Sequence, residues 1–391
     1  MEGSDNKKVY RFDRPKRVSV NQIANGQDGQ RDETAQSKAV NRQFSSDDPA
    51  PYSGLIDIGD PEGIATNLSK VGYQCLNFVA VQLSLVLNTK VDRVRALLLE
   101  GPSGCGKSFL AKSLSKITGA ELMCLSCYAG MPLQNLIEVP STLGMAKALA
   151  SSTETKAEDI MSLGLLTRAF IKSQEKPVIL LIDELDKADG AIDTFFLGPL
   201  QDSRIWLESR APVDANSNNL LIIFTKNFNR QLDDALLRRV HPITMTYLDS
   251  TLERKVLSGQ CHPLLVRNLV SLAERMRQSN GSYTFDRPPA PEELLTAGHY
   301  IQHLLKWNIN DYTFVGKSVW NILSKSPRDR AVLEHMMRFH PDFIDPLIDD
   351  AKTAPIDVIY KKLGRLLLDG LVQDPEALER ERALREQEFE Q

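Results

Sequence analysis

Cysteine is scarce in this chain, with five residues in 391, at positions 75, 105, 124, 127 and 261. So sparse and odd a set argues against a disulfide framework and points to reduced thiols in a cytoplasmic protein. Two of them, in "CLSC" at 124–127, have C-x-x-C spacing. No second cysteine or histidine pair lies nearby, so neither a zinc centre nor a dithiol redox centre is expected. Long apolar runs are missing as well. The longest nearly uncharged stretch, "VGYQCLNFVAVQLSLVLNT" at 71–89, is interrupted by Gln74, Asn77, Gln82 and Ser84. It reads as an amphipathic or buried helix, not a membrane span. The polar N-terminus lacks the apolar segment of a secretory signal. Nor is there a charge excess: 47 basic against 51 acidic residues give a formal charge of −4. That balance supplies no whole-chain argument for nucleic acid or an anionic membrane.

Hydrophobic content of 42% and charged content of 25% are those of an ordinary globular protein. Residues 1–52 hold few large apolar side chains, so disorder is expected there. Within them "KKVYRFDRPKRVSV" carries six bases and one acid, a solvated tail or a docking motif. From 53 to 248 apolar runs alternate with helical patterns. Candidate strands are "RALLLE" (95–100), "ELMCLS" (121–126), "PVILLID" (177–183), "LLIIFT" (220–225) and "PITMTY" (242–247). Continuous apolar strands covered on both faces, alternating with helices, predict an α/β fold with a parallel sheet. Residues 249–345 read as a small all-α domain, broken at "SNGSY" and "RPPAP". Residues 346–391 form a C-terminal helical extension, in which Glu376–Arg380 and Glu381–Arg385 are spaced i,i+4. No internal repeat is evident.

The stretch "GPSGCGKSF", 101–109, lies between the first candidate strand and a helix. It fits G-x-x-x-x-G-K-[ST] in the context that gives this motif its meaning. Gly101, Gly104 and Gly106 adopt backbone conformations closed to other residues and turn amide N–H groups outward. Together with Pro102, Ser103, Cys105 and Phe109 they make a cradle for phosphates at a helix N-terminus. Lys107 is placed to reach the β- and γ-phosphates of a nucleotide, and Ser108 to coordinate Mg²⁺.

Whether the nucleotide is cleaved is answered further on. "PVILLIDELDKAD" drives a buried strand into Asp183 and Glu184 at its carboxyl end, where open parallel sheets bind ligands. Asp183 is placed to hold the metal and Glu184 to orient and deprotonate water. The next strand ends in "FTKN", which leaves Asn227 at the same edge, able to contact the γ-phosphate without adding charge. "RQLDDALLRRV" then supplies Arg238 and Arg239, planar cations suited to transition-state charge on a phosphoryl group.

In order and spacing, "GPSGCGKS", "VILLIDELDKAD", "FTKN" and "ALLRRV" resemble the Walker A, Walker B, sensor 1 and arginine-finger motifs of an AAA+ ATPase. The resemblance implies an AAA+ αβα core followed by a helical lid, with ATP and Mg²⁺ as cofactors. "CYAGMPLQNLIE", "SLGLLTRAFIKS", "LGPLQDSRIWL" and "RPPAPEELLTAGHYIQHL" are similar to stretches of the MoxR family. By that resemblance Arg239 is the finger and Arg238 its alternative, while a sensor-2 arginine is Arg287, Arg328 or absent. The family further implies a homo-oligomeric ring, expected to be hexameric, a partner with a von Willebrand factor A domain, and a client protein that is remodelled or matured. Two competing readings are a nucleic-acid motor of a defence complex and a nucleotide-gated scaffold with slow turnover. The first is disfavoured because the core lacks a basic surface interleaved with aromatics.

Overall fold

Five apolar runs become five parallel strands: β1 (Arg95–Glu100), β2 (Glu121–Ser126), β3 (Val178–Asp183), β4 (Leu220–Lys226) and β5 (His241–Thr244). This computed structural model describes residues 59–89, 91–150, 156–278, 284–339 and 354–371. The expected tail at 1–52 lies outside them, as do most residues of the expected extension from 346 onward.

The spatial order is β2–β3–β4–β1–β5, and every neighbouring pair is parallel. Alternation along each strand divides the apolar runs between two cores. Leu97, Leu99, Ile179, Leu181, Leu221 and Ile223 face one way, against the helices Pro61–Lys70, Asn77–Asn88 and Lys107–Thr118. Ala96, Leu98, Leu180, Ile182, Ile222 and Phe224 face the other, against Phe170, Phe196 and Leu200. Each buried Leu or Ile contributes about 1.5–3 kcal/mol, so a strand with two dry faces needs no polar alternation.

Two expectations shift at their edges. The apolar stretch 71–89 is helical only over Asn77–Asn88, because the chain first reverses at Gly72, whose φ is +87°. The fifth strand pairs only over His241–Thr244, although Met245 N–H still donates to Glu100 O at 2.6 Å.

Two short antiparallel hairpins interrupt the αβ alternation. One joins Glu138–Pro140 to Met161–Leu163, the other Arg204–Ile205 to Val213–Asp214. Buried Glu138 fastens them together, its carboxylate accepting from Glu208 N–H at 3.0 Å, Ser209 N–H at 3.2 Å and the Ser209 hydroxyl.

After the sheet the described chain is helical. Asp249 opens this block as an N-cap, accepting from Thr251 and Leu252 N–H at 2.9 Å. Helices Ser250–Ser258, Pro263–Arg277, Pro291–Lys306, Tyr312–Leu323, Pro327–Phe339 and Ile356–Leu368 share one core running from Leu257 to Leu371. The boundary expected at 345 is therefore crossed by packing. A Cβ on Gly316 would lie 1.9 Å from Tyr360 O, and one on Gly364 would lie 1.9 Å from Tyr312 O. These glycines let Tyr312–Leu323 and Ile356–Leu368 meet backbone to backbone, which binds the last helix into the lid.

Candidate functional site

The carboxyl ends of β1, β3 and β4 meet the helical block around a cleft of about 530 Å³. On the β1 side the chain turns through Gly104 (φ +80°) and Gly106 (φ +94°) before entering the helix Lys107–Thr118. Only glycine tolerates this path. A Cβ on Gly101 would sit 2.3 Å from Met245 O, and one on Gly104 would sit 2.3 Å from the Ala290 Cβ of the lid. The resulting N–H groups and the helix N-terminus form an anion cradle.

Lys107 is buried beneath this loop. Its ammonium donates to Gly101 O and Pro102 O at 2.8 Å and to Asn227 Oδ1 at 2.9 Å. Gly101 and Pro102 thus hold the lysine and do not themselves line the cleft, whereas Ser103 through Phe109 do. The Cys105 thiol is also buried, and burial raises it above the usual thiol range despite the opposing charge of Lys107, so it stays protonated.

Across the cleft, Asp183 Oδ1 accepts from Ser108 Oγ at 2.7 Å and from Thr225 Oγ1 at 2.5 Å. A hydroxyl and a carboxylate oxygen this close are a hard-ligand pair that fits Mg²⁺. Glu184 follows in the left-handed conformation, φ 57° and ψ 46°, unusual for a non-glycine residue. Its N–H donates to Thr225 Oγ1 at 2.8 Å, and its carboxylate pairs with Lys187 Nζ at 2.6 Å. One threonine hydroxyl therefore orients both acids.

The remaining wall is largely apolar and aromatic, with Gln74, Lys112 and Glu292 among its residues. Phe109 and Tyr73 lie 5.6 Å apart by ring centroids, and the lid adds Leu248, Val256 and Leu295. Burial pushes the Tyr73 phenol far above its ordinary range. Between phosphate cradle and apolar wall the cleft accommodates a triphosphate at one end and a flat base at the other.

The motif residues of the cradle, the two acids and Asn227 thus meet in one place. Arg238 and Arg239 do not line this cleft. Arg239 is turned into its own chain, donating to Ala235 O at 2.8 Å and to Gln201 Oε1. Arg238 is exposed. Of the sensor-2 candidates, Arg287 is exposed, and Arg328 is 67% exposed and pairs with Asp286 at 3.1 Å. Among the described residues the lid lines the cleft with Val256, Pro291, Glu292 and Leu295 and no arginine.

Thr225 and Lys187 were missed from the sequence. Thr225 lies near the end of β4, and no local motif ties it to the acids of β3. Of the "CLSC" pair, Cys124 is exposed and Cys127 is buried, both as free thiols, and among the described residues no three metal-ligating side chains cluster. Among the described residues no helix is long and apolar enough to cross a membrane.

Residues 96–240 match the family model described as "AAA domain (dynein-related subfamily)". Among curated proteins the chain is similar to the Lon protease of Mycoplasma pneumoniae, 23% identical over 207 residues, covering 51% of this chain. It spans only 23% of that relative's length. The matched stretch contains the cradle, the two acids and Asn227.

Proposed function

We propose that this AAA-type core binds ATP with Mg²⁺ and hydrolyses it in a MoxR-like ring of identical chains, coupling turnover to the remodelling or maturation of a client protein. The carrying observation is the convergence of Lys107, Asn227, Ser108, Asp183 and Glu184 on one cleft, while Arg238 is exposed and does not line it. Among the described residues no arginine lines this site of cradle, metal ligands and base, and an arginine donated by a neighbour would complete it.

In this reading Lys107 leaves the carbonyls of its own loop to bind the phosphates. Ser108 and Asp183 hold Mg²⁺, which neutralises phosphate charge when bound. Glu184 takes the proton of the attacking water, and Asn227 contacts the γ-phosphate. Arg238 of an adjacent copy supplies the finger, in place of the Arg239 favoured by resemblance, because Arg239 is already committed within its own chain. The ring is hexameric, and its partner carries a von Willebrand factor A domain, as MoxR-like assemblies imply.

The Glu184→Gln variant tests the reading. ATP binding is retained, while phosphate release falls by about 10²–10⁴-fold, the usual worth of a positioned base. Equal slow release from wild type and variant would instead mark a nucleotide-gated scaffold.

A further inference from the structure

The lid holds a second concave site, lined by none of the nucleotide-cleft residues. A pocket of about 500 Å³ opens beside the helices Ser250–Ser258, Pro263–Arg277 and Ile356–Leu368. Among the described residues Arg254, Arg267, Arg275 and Arg365 line it with one carboxylate, Asp369. Arg267 and Arg275 stand on one face of their helix, two turns apart, with Ser271 between them. In a chain of net charge −4 this is a local concentration of positive field. All four cations are arginine, whose planar fork meets carboxylates or phosphates through paired hydrogen bonds. Among the described residues no aromatic side chain lines the pocket, which gives no support for stacking nucleic-acid bases there.

The same pocket lies beside the end of the last described helix. Asn268, 9% exposed, donates from Nδ2 to Leu367 O at 3.1 Å and to Asp369 O at 3.0 Å. Leu371 is 2% exposed in the core just beyond. The twenty residues that follow, 372–391, carry seven acids and three arginines. Asp374 comes three residues after Leu371, within about 10 Å of the exit even if the chain is fully extended.

We propose that this arginine pocket binds the acidic segment 372–391 of the chain itself. Net charge −4 on the segment meets four guanidinium groups at its own point of departure. Occupation would fasten the end of Ile356–Leu368 to the first two lid helices.

Trypsin cleavage of the full-length protein after Arg380, Arg382 and Arg385, followed by mass spectrometry, tests this. Several exposed ion pairs acting together should slow cleavage about tenfold relative to an Arg254→Glu/Arg267→Glu variant. The difference should collapse between about 20 mM and about 500 mM salt, where screening shortens to a few ångströms. The milder Arg254→Gln/Arg267→Gln variant, checked for wild-type melting, guards against misfolding and should fall between the two. Cleavage at the same rate in wild type and both variants at low salt overturns the proposal. So does tight binding of a labelled single-stranded oligonucleotide by the full-length protein that the charge reversal abolishes, since the pocket would then serve nucleic acid.

Discussion

Replacing Thr225 with valine removes one hydroxyl, keeps the shape, and disconnects Asp183 and Glu184 from their common support. Thr225 is 1% exposed, donates to Asp183 at 2.5 Å and accepts from Glu184 N–H at 2.8 Å. Loss of one charge-assisted and one neutral hydrogen bond should cost about 2–4 kcal/mol of folding stability. The kinetic effect should be larger than this suggests. Glu184 holds a left-handed backbone worth about 1–3 kcal/mol of strain, sustained by the N–H bond to Thr225. Without that bond the residue relaxes to negative φ and its carboxylate swings off the line of attack, and a displacement near 1 Å costs about 100-fold. Steady-state phosphate release, measured beside ATP affinity, separates the effects: kcat falls about 100-fold, while the dissociation constant for ATP changes little. Thr225→Ser keeps the hydroxyl and should retain most activity. If Thr225→Val hydrolyses ATP within threefold of wild type after the same loss of stability, the threonine does not position Glu184.

The two arginines should behave differently. Arg238→Ala should cut kcat by about 10³-fold or more without weakening ATP binding. Arg239→Ala should cost about 1 kcal/mol in a denaturant melt, through its bonds to Ala235 and Gln201, and less than tenfold in rate. Equal rate losses would assign the finger to both. The hairpin junction should respond to acid. Burial alone would raise the Glu138 carboxyl, but Ser209 and Glu208 donors outweigh it and hold the group below the usual carboxylate range. With a folded-state pKa below the unfolded one, its contribution is present above about pH 4.3 and is lost as pH falls through the folded value. Glu138→Gln should therefore lower stability at neutral pH and match wild type in acid; a pH-independent difference between their melts would contradict the assignment.

How much of this was legible beforehand follows from how local each signal is. The cradle at 101–109 is a single string whose glycines, lysine and serine act within a few residues of one another. The acids at the end of β3 are equally local. Thr225 was not, because its role appears only when β3 pairs with β4 at Ile182↔Phe224 and brings the next residues side by side. The lid's apolar wall lies well over a hundred residues beyond the cradle in sequence, so Leu248, Val256 and Leu295 carry no motif that links them to it. The choice between Arg238 and Arg239 rests on which one finds partners in its own chain, and adjacent identical residues look alike in sequence. The last lid helix was set apart for a similar reason: only the close crossing at Gly316 and Gly364 joins it to the rest.

The shared catalytic site is tested most directly by mixing two inactive proteins. One carries Glu184→Gln and keeps both arginines; the other keeps Glu184 and carries Arg238→Ala with Arg239→Ala. Each alone should release almost no phosphate. Combined one to one with ATP and magnesium, random head-to-tail neighbours should restore activity at about one interface in four, because a working site needs the acid from one copy and the cation from the next. A mixture no more active than its parts, or a double-arginine variant as fast as wild type, would contradict the account.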